Sequence, residues 1–572
     1  MLSDFDLEGK NKLQKAVYYL KYYGMTYTAK KALRKLGVPI SEESEYMSWC
    51  RRISPTKADL TQQKKSADAS KLAFTVVFEP GEKADISGWK KQTCSRISFL
   101  ELTEKMSLMD VVKGCTGDYV VFSGRGVKVA PEYLYEMTMQ ITKPLLKGES
   151  KIRIYNQHTP DVLYTDEDNC VGKKRFRPFF KPDKSLYMLL NFQYMGCCFT
   201  VKRSLLEEIA EKETVKLTGN DWYDLALQVF RYAKHVCHMP KVLFSNRVSE
   251  EEKQNFVRNT EGNGKACIEH YMQTTGIEGE VIKSDVPGFY HIKTALKEEP
   301  LVSIIIPNKD HIEDLKLCLD SLKKSDYTNY EVIVAENNSE EETTFAYYEK
   351  LQQEDERIHV VKWEGIFNYS AINNFAVKSA KGELLLFLNN DTEFMDAYTL
   401  RELVASTLKD GAGAAGAMLY YGDKTIQHGG IIMGMGGFAA HGLWSLTDRD
   451  EKYYPFSLCE REVSGCTGAC LMVKRSVFEE VGGMGEDFVV ALNDVDLCLK
   501  IRAAGYEIIF NPYARLFHYE SKSRGYEDTM EKQARFQTEI TRLQTKWEKE
   551  FIEKDPYYNP NLTLHRADYS MD

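Results

Sequence analysis

No stretch of the 572 residues is apolar for long enough to cross a bilayer, which takes about 20 consecutive apolar residues. The opening residues, MLSDFDLEGKNKLQ, lack the apolar core of a secretion leader, so a cytoplasmic protein is expected. An excess of positive charge is also missing. Lysine and arginine number 75 against 84 acidic residues, a net charge of -9, which argues against a nucleic-acid partner. Cysteine occurs 13 times but in no repeated pattern, which reads as free thiols in a reducing compartment. Cys466 with Cys470, and His235 with Cys237 and His238, have metal-binding atoms. No second half-site stands at zinc spacing, so packed thiols and incidental histidines fit better. The glycine-rich QHGGIIMGMGGFAAHG (427–442) does not follow the G-x-G-x-x-G spacing of a dinucleotide turn; a mobile loop fits it better.

The chain is too long for one core, and a long-range repeat shows how it divides. MGCCFTVKRSLLEEI (195–209) nearly matches TGACLMVKRSVFEEV (467–481). At a similar offset YVVFSGRGVKV (119–129) falls on LLLFLNNDTEF (384–394), WYDLAL (222–227) on DVDLCL (494–499), and HMPKVLFS (238–245) on FNPYARLFH (510–518) with a one-residue gap. A period of about 270 residues is far too long for a solenoid and indicates two copies of one domain. The layout is a helical region at 1–70, a first copy at 71–247, a charged connector at 248–300, a second copy at 301–527, and a C-terminal tail from 528. Within that tail EKQARFQTEITRLQTKWEKEF reads as one amphipathic helix.

In the second copy LVSIIIP (301–307) is an apolar run stopped by proline, the pattern of a strand buried on both faces. The helical IEDLKLCLDSLKK follows, then the strand-like YEVIVAENNS and IHVVKW, a helix over YSAINNFAVKSAKG ending at Gly382, and LLLFLNNDTEF as a fourth strand. Alternating strands and helices imply an α/β fold with a parallel, doubly wound sheet. Ligands bind such sheets beyond the carboxyl ends of the strands. The clusters Glu336-Asn337-Asn338-Ser339 and Asn389-Asn390-Asp391 stand at ends of that kind. A carboxylate there can hold a divalent ion over a diphosphate; a polar turn is the plainer alternative.

VSIIIPNKD, IVAENNS, FNYSAINN, LLFLNNDTE, QHGG, TGACLMVKR, LNDVDLCLKIRAAGY and FHYESKSRG occur in that order. Together they resemble the inverting family 2 glycosyltransferases, in particular the bacterial rhamnosyltransferase branch of cell-surface polysaccharide synthesis. The resemblance covers nearly all of the second copy and weakly the first. It implies two tandem GT-A-like domains with mixed, mainly parallel sheets, flanked by N- and C-terminal helices. It also implies a nucleotide-diphospho-sugar donor, Mg²⁺ or Mn²⁺, and a polysaccharide or lipid-linked glycan as acceptor. The sugar it suggests is rhamnose, carried on dTDP.

By that resemblance Asp391 is the last residue of a D-x-D motif and ligates the metal, and His518 completes the metal site. Asn389 replaces the first aspartate and carries no charge. Glu336 matches the acid that meets the nucleobase or ribose. Pro307 and Asn308 line the base, and Asn338 and Asn390 stand beside them at the strand ends. Asn374 falls on the family's donor-binding helix, and Asn373 sits where many members have arginine. Asp494 in the pair Asn493-Asp494 matches the general base, which inverting transfer needs to take a proton from the acceptor hydroxyl. The alternative is that Asn493 and Asp494 only cap a helix, and Asp496 is expected to be purely structural. Ser521, Ser523 and Arg524 are candidates for the diphosphate, and equally for a polar loop. His428 and His441 are candidates for the acceptor side.

The same positions in the first copy carry different chemistry. Asp391 corresponds to Gly126, Asn389 to Gly124, Asp494 to Trp222 with Asp221 one residue away, and His518 to Ser245 or Asn246. No counterpart of AENNS or FNYSAINN survives, so the first copy is expected to be a degenerate, inactive GT-A-like domain. TDEDN (165–169) keeps three acids; the resemblance would place them on the acceptor side, and an acidic turn is the simpler reading. Trp222 and the aromatic RFRPFFKPDKSLYMLLNFQYM suit either glycan or core. The N-terminal helix, with Tyr18, Tyr19, Tyr22 and Tyr23 among lysines, could rest on an anionic membrane or on its own protein. Two other classes compete. One is a non-catalytic glycan-binding scaffold of a polysaccharide assembly complex. The other is a nucleotidyltransferase, which would need a glycine-rich basic loop after the first strand, where PNKDHIEDLK has no glycine.

Overall fold

A computed structural model describes residues 42–79, 86–143, 158–219, 222–252, 263–448, 450–519, 529–548 and 555–571. The tyrosine-rich helix expected near the N-terminus, together with Asp221, Ser521, Ser523 and Arg524, lies outside the described residues.

Helices Glu42–Ile53 and Lys57–Ala69 precede a first sheet. Its strands are β1 (Phe74–Phe78), β2 (Ile97–Glu101), β3 (Tyr119–Ser123), β4 (Val127–Val129), β5 (Val162–Val171), β6 (Lys174–Phe179), β7 (Cys198–Lys202) and β8 (Val236–Arg247). The connector forms helix Gly264–Thr275 and a hairpin of β9 (Gly279–Lys283) and β10 (Tyr290–Thr294). The second half holds β11 (Val302–Asn308), β12 (Tyr330–Asn337), β13 (Ile358–Trp363), β14 (Leu384–Leu388), β15 (Thr392–Phe394), β16 (Ala412–Tyr420) and β17 (Ile426–His428). The small hairpin β18 (Ile431–Met433) and β19 (Ala439–His441) comes next, then β20 (Arg461–Val463), β21 (Cys470–Lys474) and β22 (Glu507–His518).

The first sheet runs β2-β1-β3-β7-β5-β8-β4, and the second runs β13-β12-β11-β14-β21-β16-β22-β15. Beyond the added edge strand β13, the two paths correspond strand for strand. So do the directions: β1 with β2 and β3, and β5 with β8, are parallel, as are β11 with β12 and β14, and β16 with β22. The β3–β7, β5–β7 and β4–β8 pairs are antiparallel, as are β14–β21, β16–β21 and β15–β22. Each sheet is thus mixed, as expected of two tandem GT-A-like domains. Strand β14 shows why its sequence is apolar at every position. Leu384, Leu386 and Leu388 face one core while Leu385 and Phe387 face another, so neither side of the strand meets water.

The two halves share one continuous core. Glu462 of β20 accepts the Ser185 hydroxyl and the Leu186 amide (2.9 Å) at the start of helix Leu186–Asn191. The Asn191 side chain accepts the Glu460 amide at 2.7 Å, and Phe192 stacks on Phe289 with centroids 4.5 Å apart.

Several expectations are corrected. LLLFLNNDTEF is two strands, because after Leu388 the chain leaves its parallel neighbour and turns to pair Thr392 with His518. Asn389 to Asp391 make that turn. The helix over YSAINNFAV stops at Val377, not at Gly382. Gly382 serves a close approach instead: a Cβ there would lie 2.5 Å from the Leu301 carbonyl oxygen. TDEDN is no turn but the buried middle of β5. Each acid there has a partner: Asp166 has His238 at 2.8 Å, Glu167 has Lys181 at 2.8 Å, and Asp168 has Tyr46 at 2.6 Å and Arg175 at 2.5 Å.

Trp222 is fully buried against Phe122 and belongs to the core. It also takes a different register. Trp222 (φ 63°) and Leu492 (φ 62°) are the left-handed residues that begin helices Tyr223–Tyr232 and Asn493–Ala503. The cap geometry therefore sets Asp224, not Trp222, opposite Asp494. None of the 13 cysteines is in a disulfide. Burial pushes the Cys198 and Cys237 thiols up to about 12, as suits packed, inert groups.

Candidate active site

The carboxyl ends of β11, β12 and β14 border a cleft of about 680 Å³. One wall is polar, formed by Pro307, Asn308, Asn337, Asn338 and the Asn389–Asp391 turn. A second wall is largely apolar, formed by Ile431, Phe438, Ala439, Ala440 and His441 from the β18–β19 hairpin and by Val490 to Val495 at the start of a helix. Thr467, Gly468 and Ala469 lie between the two walls.

Asp391, Asp494 and His518 all face this cleft. His518 is the last residue of β22, and its pairing with Thr392 brings it beside the Asn389–Asp391 turn. Its Nδ1 lies 2.6 Å from Oε1 of Gln427, whose Nε2 donates to the His518 carbonyl oxygen at 3.4 Å. Oε1 can only accept, so Nδ1 carries a proton, and in the neutral ring the lone pair is on Nε2. Nε2 faces Oδ1 of Asp391 at 3.2 Å and the Asn389 amide at 3.2 Å. Two buried acceptors, one of them a carboxylate, thus converge on one point, and the histidine donates its other N–H to a side-chain oxygen. Metal-binding histidines are commonly held in this way. Among the described residues no three His, Cys, Asp or Glu side chains gather at metal-holding distance. A cation held by Asp391 and His518 would leave places for phosphate and water oxygens, a set suited to Mg²⁺ or Mn²⁺.

Asp494 sits in the first turn of helix Asn493–Ala503. Its Oδ2 accepts the Gly468 amide at 2.9 Å and its Oδ1 the Val495 amide at 2.8 Å, so the carboxylate is fixed yet open to the cleft. Asn493 orients it: Oδ1 accepts the Asp494 amide at 2.8 Å while Nδ2 donates to the Val490 carbonyl at 3.1 Å. The loop before the helix is tied by Glu539 of the C-terminal helix Met530–Lys546, which accepts the Val490 and Ala491 amides at 3.0 and 3.2 Å. Asp496 is fully buried and binds Lys546 (2.6 Å) and Trp547 (2.9 Å), a structural anchor for the same helix.

Pro307, Asn308, Asn338, Asn389, Asn390, Asn493 and His441 also line the cleft; four other candidates do not. Asn373 is buried and bonds the Tyr369 carbonyl of its own helix. Asn374 brackets Met484 through both amide atoms (2.9 Å each), pinning a turn in which Gly482 (φ 74°) and Gly483 (φ 67°) are left-handed. Both asparagines are structural, because their helix turns this face towards the protein. His428 is buried, its Nε2 accepting the Gly430 and Thr467 amides at 3.3 Å each. Burial, with His441 and Arg461 near it, holds its pKa well below the usual range, so it is a neutral structural acceptor. Glu336 lies just behind the polar wall. Its Oε1 accepts the Ser339 amide at 2.5 Å, and its buried Oε2 has no hydrogen-bond partner among the described residues.

Sequence reasoning missed Gln427, hidden beside the more conspicuous His428, and Tyr369, which lines the cleft and donates to the Gly468 carbonyl at 3.1 Å. The signal was present in QHGG: a glutamine before a histidine on a short strand puts the two side chains on opposite faces, and it is the glutamine that reaches the cleft.

Comparison with known proteins finds likenesses in sequence. Residues 303–482 match the family model described as Glycosyl transferase family 2. The chain is 37% identical over 432 residues to the uncharacterized protein y4gI of Sinorhizobium fredii, covering 73% of this chain and 47% of that one. It is 33% identical over 466 residues to the O-antigen biosynthesis protein RfbC of Myxococcus xanthus, covering 80% of this chain and 35% of that one. Over 124 residues it is 31% identical to an N-acetylglucosaminyl-diphospho-decaprenol L-rhamnosyltransferase of Mycobacterium tuberculosis, covering 20% of this chain and 39% of that one. The chain spans less than half the length of each of these relatives. The second half of this chain therefore carries a family 2 glycosyltransferase domain.

Proposed function

We propose that this protein is an inverting, metal-dependent glycosyltransferase that moves a sugar from a nucleoside diphosphate to a hydroxyl of a growing surface polysaccharide or lipid-linked glycan. The observation that carries the reading is the convergence of Asp391, His518 and Asp494 on one cleft. The donor's nucleoside lies along the polar wall, with Pro307, Asn308 and Asn338 beside the base and ribose and Glu336 behind them. Asp391 and His518 hold Mg²⁺ or Mn²⁺, which when bound offsets the charge of the departing diphosphate. Asn389 and Asn390 offer amides to donor hydroxyls. The acceptor enters along the apolar wall near His441, and Asp494 takes the proton from its hydroxyl as that oxygen attacks the anomeric carbon from the side opposite the diphosphate. Proton removal of this kind is worth ~100- to 10,000-fold. Rhamnose on dTDP is the first donor to try, since one relative's name specifies L-rhamnosyl transfer.

The N-terminal domain is read as a degenerate copy. The shared strand order supports this, as does its chemistry at the matching positions. Gly126 replaces Asp391, and the pairing of β4 with β8 puts Asn246, rather than Ser245, opposite His518. Asn246 donates to Glu167 at 3.1 Å, and Asp224 is buried against His270 at 2.8 Å. Among the described residues no helix is long and apolar enough to cross a membrane.

The test is release of nucleoside diphosphate by the purified chain from dTDP-rhamnose and a panel of other sugar nucleotides, with and without Mn²⁺. Release that needs Mn²⁺ and vanishes in Asp391→Ala supports the enzyme. Binding of glycan without release from any donor would instead establish the non-catalytic scaffold.

A further inference from the structure

The apolar wall of the cleft is built on a turn with little stiffness of its own. Gly434, Gly436 and Gly437 all take left-handed backbone angles (φ 79°, 66° and 88°) between β18 and β19, immediately before the lining residues Phe438 to His441. Glycine gives such a turn its shape but also leaves it the most conformational freedom to lose. Something else must hold it.

Residues 555–571 do so from behind. Asp555 accepts the Met433 amide at 2.8 Å, and the Leu564 carbonyl accepts the Gly436 amide at 2.9 Å. The other side of this segment is fastened to the N-terminal domain. Asn559 is 3% exposed; its Nδ2 lies 3.0 Å from each carboxylate oxygen of Asp166 and 2.9 Å from the Lys181 carbonyl. Asn561 donates to the Pro240 carbonyl at 2.8 Å, and Pro556 accepts the Asp183 amide at 2.9 Å.

The anchor is peculiar to the first copy. Val162 pairs with Val201 as Ala414 pairs with Val473, within the shared VKRS strands, so Asp166 of β5 occupies the place of Met418 in β16. An apolar position in one copy is a buried carboxylate in the other. That carboxylate is held by His238 (2.8 Å) and the Lys181 amide (2.9 Å) and receives Asn559 between them. Burying an ionised group is costly unless it is fully hydrogen-bonded, and Asn559 supplies part of that bonding.

We propose that the N-terminal domain positions the apolar wall of the catalytic cleft through this C-terminal brace, with Asn559 and Asp555 as its positioning residues. That this wall receives the acceptor rests on the glycosyltransferase reading; the brace itself does not. Its test is hydrogen–deuterium exchange of the full chain without donor or acceptor, so that failure of the enzyme reading leaves the result intact. Asn559→Leu should speed exchange at least tenfold across 431–442 and leave 384–391 unchanged. Asp555→Ala, which leaves the Asp166 anchor untouched, should loosen the same wall and keeps the proposal testable if Asn559→Leu fails to fold. Unchanged exchange over 431–442 in Asp555→Ala, or in Asn559→Leu while 555–571 itself exchanges freely, would overturn it.

Discussion

Replacing Gln427 with leucine should weaken Mn²⁺ binding without touching a ligand. The side chain is 2% exposed and fills the space behind His518, so leucine conserves most of the volume. What it removes is the oxygen that the His518 Nδ1–H meets, at 2.6 Å. A buried donor left without a partner costs about 1–3 kcal/mol, and the imidazole can escape that cost by moving its proton to Nε2 or by turning. Either change spoils the lone pair aimed at the Asp391 carboxylate. Loss of a partner that orients a metal-binding histidine typically lowers metal affinity about 10- to 100-fold, or about 1.4–2.7 kcal/mol. The short contact and deep burial of Gln427 place this case toward the upper end. The assay is titration of the metal-free chain with Mn²⁺, following the free-ion electron paramagnetic resonance signal, with no sugar nucleotide present. Gln427→Glu keeps an acceptor in place and should bind Mn²⁺ at least as tightly as the unaltered chain. Equal affinity in Gln427→Leu and the unaltered protein would refute the reasoning. Equal weakening by both substitutions would show that packing, not the hydrogen bond, matters.

Asp494→Asn should cut sugar transfer by ~100- to 10,000-fold, while the Mn²⁺ titration stays as in the unaltered chain. The domain interface should lose stability as pH rises. Burial, with Glu507 nearby, pushes Glu462 up to about 7 from an ordinary 4.5, so its contribution is complete below pH 4.5 and lost through pH 7. Glu462→Gln keeps an acceptor for the Leu186 amide but cannot ionise, and should flatten thermal stability across that window, by about 3 kcal/mol. A second fall belongs to His238: burial lowers its pKa, but Asp166 and Asp183 outweigh this and raise it to about 9. Its contribution is therefore full below about pH 6.5 and gone above 9, and His238→Gln should remove the pH dependence of melting temperature over that range. Leu386→Ala, in the middle of β14 and fully buried, should cost about 2–5 kcal/mol in urea unfolding; a smaller loss would mean that the two cores close around the gap.

Much of this fold could be read from the sequence where one physical pattern dominates. SIIIP and LLLFL announce strands covered on both faces, and IHVVKW matches β13 residue for residue. The two VKRS segments lead to strands and helices that begin at equivalent residues, Cys198 and Arg203 against Cys470 and Arg475. Reading failed where long-range pairing decides. TDEDN looks like a turn because acids are common in turns; only Lys181, Arg175, Tyr46 and His238, distant in sequence or on other strands, make it a buried strand. Asn373 and Asn374 have donor-site chemistry, yet the phase of their helix aims them at Tyr369 and Met484.

On the proposed reading of the two halves as copies of one domain, their differences mark which part of such a domain is free to change. Strand order and direction are conserved in both sheets, because a strand slipped by one residue would turn its whole core face outward. The residues at the strand ends carry no such burden. Gly126 stands for Asp391 and Asn246 for His518, and β4 still pairs with β8 as β15 does with β22. Inside β5 the exchange is more demanding. Asp166, Glu167 and Asp168 stand where β16 has Met418, Leu419 and Tyr420, and three buried carboxylates must be matched at once. Asp166 takes its last partners, Asn559 and Asn561, from the far end of the chain. A domain whose buried charge is completed only by the other domain's tail has become dependent on that contact, so the first copy should keep its fold best when residues 555–571 remain attached.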